Sequence, residues 1–269
     1  MPYVTRDSVR THYVMAGEGP AFVFLHPLPF DHTVYRYQLA HFSTWFRCIA
    51  IDFRGFGRSD AVTTKYGLGD LCDDVLAVCA AEDVKEAVLL GTSIGSKAVL
   101  QLGLDRPDLF KAVIAVGAGN KPAKDHGRRI EAYRTEGRDG FHPKHLASVV
   151  TNEFAASPLG AHLLGTMLER GRALGMTGEA MARSVGAAHD RDLRPRLPSM
   201  SVPLLVINGE HDNSRPGGTE TAKLVPSARH EILADRGHAC CLEDPAGFDA
   251  LVIDFLTQHA MMPKTASPA

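Results

Sequence analysis

Residues 87–105 read AVLLGTSIGSKAVLQLGLD, and this stretch decides the fold. Residues 87–92 form a short continuous apolar run, which is typical of a strand buried on both faces of a parallel sheet. After Ser93, apolar side chains recur at the three- and four-residue spacing of an amphipathic helix, as at Ala98 and Leu102. Ser93 therefore lies in a tight turn between a strand and a helix, flanked two positions away by Gly91 and Gly95.

The same pattern recurs outward along the chain in both directions. Further apolar runs that predict buried strands are AFVFLH at 21–26, FRCIAID at 46–52, FKAVIAVG at 110–117 and VPLLVING at 202–209. A polar hairpin over 3–5 and 9–15 precedes them, and a short strand is predicted over 230–233. Strands that alternate with helices indicate an α/β fold, with a mostly parallel sheet flanked by helices.

Composition excludes several classes of protein. The 269 residues are 45% hydrophobic and 22% charged with a formal net charge of −2, so no basic excess indicates a nucleic-acid or membrane partner. We expect no signal peptide, because polar residues are scattered through the first positions, and no membrane helix. The 5 cysteines lack the pattern of a small secreted domain, which favours reduced thiols and a cytoplasmic location.

The strand–helix alternation breaks between residues 120 and 196. This segment has only weak helical spacing, around Leu163 and Met167, and a structureless loop of that length is improbable. We therefore predict a helical insertion over 120–196 and a core formed by 1–119 and 197–260. The last helix of that core should begin at Asp244-Pro245, with the aspartate as N-cap, and residues 261–269 should form a frayed tail.

Ser93 is the candidate nucleophile, although a serine at this position can also be a simple helix N-cap. Its hydroxyl needs a base to accept the proton, and His238 stands in Asp235-Arg236-Gly237-His238, between a predicted strand and the last helix. A lone loop histidine is usually structural. Loops at the carboxyl ends of parallel strands, however, collect functional groups at one edge of a sheet, which favours His238 as the base.

Asp212 is the candidate that orients this histidine. It follows the strand predicted over 202–209, in Asn208-Gly209-Glu210-His211-Asp212. Glu210 is the nearest rival but lies closer to the strand end. The loop after the strand at 110–117 has no acidic residue until Asp125, which also favours Asp212.

Together with these residues, three further stretches resemble the α/β-hydrolase superfamily, in its branch with a helical cap. They are Leu25-His26-Pro27-Leu28-Pro29, the loop Asp52–Asp60 (DFRGFGRSD) and Gly237-His238 with Glu243 and Pro245. The resemblance implies a Ser93, Asp212, His238 triad and an oxyanion hole formed by the backbone N–H groups of Leu28 and Ile94. It also implies that Leu28, Pro29 and Ile94 contact substrate, and that 120–196 is the cap.

Two positions depart from the family's pattern. Pro27 stands where glycine is usual, which restricts the loop without removing a needed donor. Ser96 replaces a glycine that often follows the strand-to-helix turn of the nucleophile (the elbow), which we interpret as a packing difference.

Other side chains have weaker claims to a function. His142 and His145 have helical spacing for a metal, but no third ligand is evident, so we predict no metal and no cofactor. The adjacent cysteines at 240 and 241 more often pack than form a redox pair. Arg54 and Arg58 can hold a loop or an anion. We expect Phe141, Phe154, Met167 and Met176 to form the interior of the cap, and one or two of them to line the pocket.

The sequence thus predicts a cofactor-free carboxylic ester hydrolase that cleaves an ester or lactone of a small molecule through an acyl-enzyme intermediate. A serine at the elbow disfavours relatives that need a carboxylate nucleophile. Two alternatives stay open: C–C bond hydrolysis or perhydrolysis on the same triad, and a ligand-binding receptor of low turnover. The oligomeric state also stays open, including a homo-oligomer.

Overall fold

The computed structural model describes residues 2–124 and 126–263, and its strands form one eight-stranded sheet in the order β1-β2-β4-β3-β5-β6-β7-β8. The strands are β1 (Tyr3–Arg6), β2 (Val9–Ala16), β3 (Ala21–Leu25), β4 (Arg47–Ile51), β5 (Ala87–Thr92), β6 (Phe110–Val116), β7 (Leu204–Gly209) and β8 (Ala228–Leu233). β2 pairs antiparallel with β1 and with β4, and every other pair is parallel. The predicted α/β fold with its opening hairpin is confirmed.

Helices connect the strands and cover both faces of the sheet. They are α1 (Arg36–Phe42), α2 (Leu68–Ala81), α3 (Ile94–Asp105), α4 (His126–Thr135), α5 (Gly137–Ser148), α6 (Asn152–Ala156), α7 (Pro158–Ala173), α8 (Gly178–Ala188), α9 (Arg215–Leu224), α10 (Cys240–Glu243) and α11 (Pro245–Gln258). Short 3₁₀ turns occur at His32–Tyr35 and Leu197–Ser199.

The continuous apolar runs exist because the central strands are buried on both faces. In β3, Val23 and Leu25 pack with α2 and α3 on one face of the sheet, whereas Phe22 and Phe24 pack with α1 and α11 on the other. Successive side chains of a strand point to opposite faces, so burial on both faces requires an apolar residue at every position.

The segment between β6 and β7 contains α4 to α8, which lie where the sequence predicts a helical insertion. Buried and half-buried polar contacts join it to the sheet-bearing part of the chain. Arg170 Nε donates to Asp31 Oδ2 at 2.5 Å, and Thr151 Oγ1 donates to Glu243 Oε2 at 2.7 Å. Because these partners come from separate strand-end loops, the inserted helices lie over the edge of the sheet that carries those loops.

The last helix begins where the sequence predicts. Asp244 is the N-cap of α11, and its Oδ1 accepts a hydrogen bond from Gly247 N at 3.0 Å. Residues 261–263 follow α11, while 264–269 of the predicted tail, like Met1, lie outside the described residues. Across 2–124 and 126–263, the structure contains no helix that combines the length and apolarity needed to cross a membrane.

Candidate active site

The turn that carries Ser93 is strained and closely packed. Ser93 has φ 58° and ψ −111°, a conformation that non-glycine residues rarely adopt, and its N–H donates to Val116 O at 2.8 Å. A Cβ at Gly91 would lie 2.2 Å from Gly95 O, and one at Gly95 would lie 2.1 Å from Leu25 O. Both glycines are therefore required by the close approach of backbone to backbone at the elbow.

Two loops at the carboxyl edge of the sheet bring Asp212 and His238 together. His238 Nδ1 lies 2.8 Å from Asp212 Oδ1, although the two residues are 26 positions apart in the chain. His238 keeps 16% of its side chain exposed, and Ser93 is also partly exposed. Among the hydrogen bonds of the described residues, Ser93 Oγ takes part in none. Catalytic hydrogen bonds of this kind are often long before substrate binds.

The Asp212 carboxylate is held by several donors. Ser214 N donates to its Oδ1 at 2.8 Å, and Asn208 Nδ2 donates to its Oδ2 at 2.8 Å. Burial alone would raise the pKa of the Asp212 carboxyl, but the charge and hydrogen bond of His238, with these donors, bring that pKa well below its ordinary value. The carboxylate is therefore ionised at neutral pH.

The same pair sets the proton affinity of His238. Burial alone would lower the pKa of the imidazole, but Asp212 outweighs burial and raises that pKa above its ordinary value. The hydrogen bond also fixes the tautomer, because Nδ1–H donates to the carboxylate and leaves Nε2 to accept a proton.

Gly117, at the end of β6, makes room for this imidazole. It has φ +59°, and a Cβ there would lie 2.5 Å from His238 Cε1 and 2.7 Å from Nδ1. Sequence reasoning missed Gly117. Its only local signal is a glycine directly after a buried strand, and the ring that contacts it comes from a distant loop.

The loop expected to form the oxyanion hole is fixed by His26. His26 Nε2 accepts from Phe53 N at 3.0 Å and its Nδ1 lies 2.9 Å from Pro27 O, so the buried ring is neutral with Nδ1–H as a donor. Burial lowers the pKa of His26. Leu28 N–H and Ile94 N–H donate to no acceptor among the described residues, which leaves both amides available for an oxyanion.

The loop at 52–60 is held in place by buried polar contacts of Asp52 and Arg54. Asp52, which is fully buried, accepts from His12 Nδ1 at 2.8 Å, from His32 Nδ1 at 2.7 Å and from Arg58 N at 3.1 Å. Arg54 forms a buried two-pronged ion pair with Asp74, in which both N···O distances are 2.7 Å. Arg54 thus ties this loop to α2.

The rival acid lies apart from the histidine. Glu210 is exposed, and its Oε2 accepts from Asp235 N at 3.1 Å. Asp125, the other acid considered, lies outside the described residues. Of the candidate acids in the described ranges, Asp212 is the one bonded to His238.

A cavity of about 350 Å³ opens beside His238 and Asp212. Its wall comes partly from the strand-end loops and partly from the inserted helices. The lining residues are Lys97, Gly117, Gly119, Lys121, Ala123, Arg129, His145, Ser148, Val149, Val150, Thr151, His189, His211, Asp212, Asn213, Ser214, Gly237 and His238. Leu28, Pro29 and Ile94 are buried, and neither they nor Ser93 line this cavity.

The apolar residues expected at the pocket lie elsewhere. Met167 lines a different cavity of about 430 Å³, beside His32 and Arg170. Phe154 packs in the cluster under α11, and Phe141 and Met176 pack against the cluster on the opposite face. The insertion contributes Val149, Val150 and the small Ala123 as apolar lining, and the weak periodicity around the two valines gave no signal.

The remaining candidates have structural partners or are buried. His145 Nδ1 lies 2.6 Å from Tyr133 Oη, and neither nitrogen of the buried His142 has a partner among the described residues. Burial lowers the pKa of His142 to about 4 and that of His145 to about 3. Both thiols beside His238 are buried, and burial raises the pKa of Cys241 to about 12, which makes it unreactive.

Known proteins resemble this chain over most of its length. A family model described as alpha/beta hydrolase fold matches residues 20–245. An AB hydrolase superfamily protein, YisY of Bacillus subtilis, is 28% identical over 93% of this chain and 97% of its own. The 3-oxoadipate enol-lactonase 2 of Acinetobacter baylyi is 26% identical over 93% of this chain and 94% of its own.

A solved structure agrees with these matches. The enol-lactonase from Burkholderia xenovorans LB400 superposes with a TM-score of 0.87 at 27% identity, covering 95% of this chain and 100% of its own. The residues that the family model matches make up well over half of the sequence, and they include the strained Ser93 turn, Asp212 and His238. The protein therefore belongs to the α/β hydrolase fold family.

Proposed function

We propose that this protein hydrolyses an ester or lactone bond of a small molecule through an acyl-enzyme intermediate on Ser93. The observation that carries the proposal is the bonded Asp212–His238 pair at the sheet edge that also holds the strained Ser93 turn. Relatives whose names state enol-lactonase activity support the lactone within this class, at 26% and 27% identity.

Each side chain has a defined part in this reaction. His238 Nε2 accepts the Ser93 proton as the hydroxyl attacks the carbonyl carbon, and it then protonates the leaving oxygen. Asp212 stabilises the imidazolium that forms in between. Leu28 N–H and Ile94 N–H donate to the oxyanion, and one such donor contributes about 2.7–4 kcal/mol to transition-state stabilisation. Water, activated by His238, then releases the acid from Ser93.

The inserted segment has its own part in the proposal. Residues 120–196 act as a cap over the core of 1–119 and 197–260, and the cap supplies contacts away from the carbonyl. Such contacts decide which substrate is held in attack geometry, and they exclude water from the charged intermediate. Val149 and Val150 belong to this cap and line the cavity beside His238.

The test is labelling with a fluorophosphonate, followed by assays on esters, lactones and a dienol substrate for C–C cleavage. We expect stoichiometric labelling at Ser93, and a loss of at least about a thousandfold in activity in Ser93→Ala. Ser96→Ala is the matched control, because Ser96 is a fully buried serine in the first turn of α3 whose hydroxyl donates to a backbone carbonyl, Ser93 O, at 2.6 Å.

Three results would contradict the proposal. Labelling at another residue would reject Ser93 as nucleophile, and turnover of the dienol alone would favour the C–C hydrolase. Stoichiometric labelling without multiple turnover on any substrate would favour a receptor.

A further inference from the structure

Glu243 is a half-buried carboxylate near His238 that takes no part in the proposed reaction. It is the last residue of α10. Its Oε1 accepts from Gly237 N at 2.9 Å, and its Oε2 accepts from Thr151 N at 3.1 Å and from Thr151 Oγ1 at 2.7 Å. One side chain therefore joins the residue before His238 to the inserted helices.

Ala239, which follows the candidate base, is attached to the same part of the insertion. Its N–H donates to Val149 O at 2.7 Å, and both residues are buried. At Gly237 the two backbones are in direct contact, because an added Cβ would lie 2.9 Å from Val150 C. The loop of the candidate base is thus held on both sides by residues 149–151, which lie between α5 and α6.

Residues 149–151 also line the cavity beside His238, where Val149 and Val150 form part of the apolar wall. His238 in turn has to stay aligned with Asp212, whose Oδ1 lies 2.8 Å from its Nδ1. A buried hydrogen bond that is left unmade costs about 1–3 kcal/mol. A shift of the wall is therefore transmitted to the loop of the base, because independent movement would break the hydrogen bonds between them.

We infer that Glu243 is a positioning residue that fixes His238 to residues 149–151, so that the wall that selects substrate and the general base are held as one unit. A carboxylate suits this role because both of its oxygens accept, and donors face both. Among the hydrogen bonds of the described residues, none joins Glu243 to His238 itself, so Glu243 acts through Gly237. This inference rests on the proposed function, since it names a residue that positions the base of that reaction.

A carboxylate that only fastened the insertion to the core would behave differently. Asp190 provides this comparison, because its Oδ2 accepts from Leu68 N at 3.0 Å and joins the end of the insertion to α2. No hydrogen bond of the described residues joins Asp190 to the loops that carry Asp212 and His238. Both carboxylates support the folded structure, but only Glu243 should affect the pKa of the His238 imidazole.

The experiment is an NMR titration of the His238 imidazole in the unmodified protein, in Glu243→Gln and in Glu243→Asp. The resonance is assigned by its absence from His238→Gln. Asp212 raises the pKa of His238 against the effect of burial, so displacing the ring from that carboxylate lowers the pKa. We expect a fall of at least about half a pH unit in both variants. Glutamine presents an NH₂ group to one set of donors, and aspartate is one methylene too short to reach both.

The two variants separate position from charge. Glu243→Gln removes a negative charge near the imidazole, which by itself lowers the pKa, whereas Glu243→Asp keeps the charge and shortens the side chain. A pKa that falls in the glutamine variant alone would overturn the inference, because the effect would then be one of charge. Asp190→Asn is the matched control and should leave the pKa of His238 unchanged. An equal fall in Asp190→Asn would also overturn the inference.

A change on the side of the insertion tests whether the link extends to residues 149–151. Thr151→Val removes the hydroxyl donor to Glu243 and should lower the pKa of His238 by less than the Glu243 variants do, since Thr151 N–H still donates. It also removes the N-cap of α6, so Ser157→Ala, which removes the N-cap of α7, is the control. An unchanged pKa in Thr151→Val would overturn the link to the insertion.

Kinetics report the same displacement if the proposed function holds. Both Glu243 variants should lower kcat on an ester by up to about a hundredfold with little change in KM, because the base is displaced while the binding wall remains. Loss of Ser93 labelling would reject the proposed function and leave the NMR result standing. Normal labelling with an unchanged pKa of His238 in both variants would reject the positioning role alone. Thr151→Val keeps the test valid if neither Glu243 variant folds.

Discussion

The strand-end loops and the inserted helices build the same cavity but are held in place by different interactions. The Ser93 turn and the Asp212 loop follow β5 and β7, in which every residue is buried, and Ser93 is fixed by backbone contacts of Gly91 and Gly95. The inserted helices pack through buried side chains such as Tyr133 and Met181, and exposed ion pairs such as Arg134–Glu179 at 3.0 Å add about 0–1 kcal/mol each. The Ser93 turn is therefore fixed by close backbone packing, whereas the exposed ion pairs of the inserted helices can change at low cost in stability.

The largest expected effect on the loop side is the loss of the Asp212 charge. Asp212→Asn should lower turnover by up to about 10⁴-fold, because an amide stabilises the wrong imidazole tautomer. Glu210→Gln is the control, since Glu210 is exposed and bonds Asp235 N. Steady-state kinetics on one ester compare the two variants, and a larger effect at Glu210 would mean that the acid is misassigned.

A methyl group at Gly117 should have the next largest effect. Gly117→Ala would place a Cβ 2.5 Å from His238 Cε1, and a displacement of about 1 Å in a catalytic group can cost about a hundredfold in kcat/KM. Gly175→Ala is the matched control, because Gly175 has φ +71° with nothing within 4 Å of its Cβ position.

Both glycine variants carry backbone strain of about 1–2 kcal/mol, which thermal unfolding would report. Only the Gly117 variant should lose activity beyond that strain. Equal losses of activity in the two variants would show that backbone conformation, and not the room for His238, is what matters at Gly117.

A change in the inserted wall should alter selectivity while leaving the chemistry nearly intact. Val150→Ala should change the ratio of specificity constants across acyl chain lengths by about 1–3 kcal/mol per apolar contact altered. Labelling of Ser93 by a small phosphonate should stay nearly as fast. Phe154→Ala is the comparison, because Phe154 packs beside the same segment but does not line the cavity.

The Phe154 variant should lower the free energy of unfolding and leave the chain-length profile flat. A flat profile for Val150 as well, and for the neighbouring lining valine Val149, would contradict the proposed role of 120–196 as a cap.

The smallest expected effects concern the pH dependence of kcat/KM. This dependence distinguishes His238, in a strand-end loop, from His145, in the inserted helices. His238 must be neutral to accept a proton, and its pKa is raised, so kcat/KM should fall with decreasing pH through a midpoint above about 6.5. Asp212→Asn should move that midpoint to lower pH, because burial then acts on the imidazole without an opposing carboxylate.

His145, in the inserted wall, has its pKa lowered to about 3 by burial and adds no transition near neutrality. His145→Gln should therefore leave the midpoint unchanged. A midpoint that follows His145 in a pH–rate profile would mean that the titrating group belongs to the insertion.

The sequence predicted the elements that depend on local pattern. The apolar runs correctly located the central strands, with β5 at Ala87–Thr92 as expected, and Asp244-Pro245 marked the start of α11. The helix α1 was missed, since its seven residues, RYQLAHF, alternate polar and apolar positions too briefly to show a period. The insertion gave one weak helical signal, although the structure divides it into α4 to α8.

The sequence by itself determined the fold class, the strand–turn–helix around Ser93 and the order in which the candidate nucleophile, acid and base follow one another. These depend on residues within one turn or strand of each other, where periodicity and glycine placement carry the information. Only the tertiary structure decided that His238 bonds Asp212, that Gly117 makes room for the ring and that Glu243 meets Thr151 across 92 positions of the chain. Such contacts join distant segments through packing of the whole sheet, and no local pattern encodes which distant side chain a residue will face.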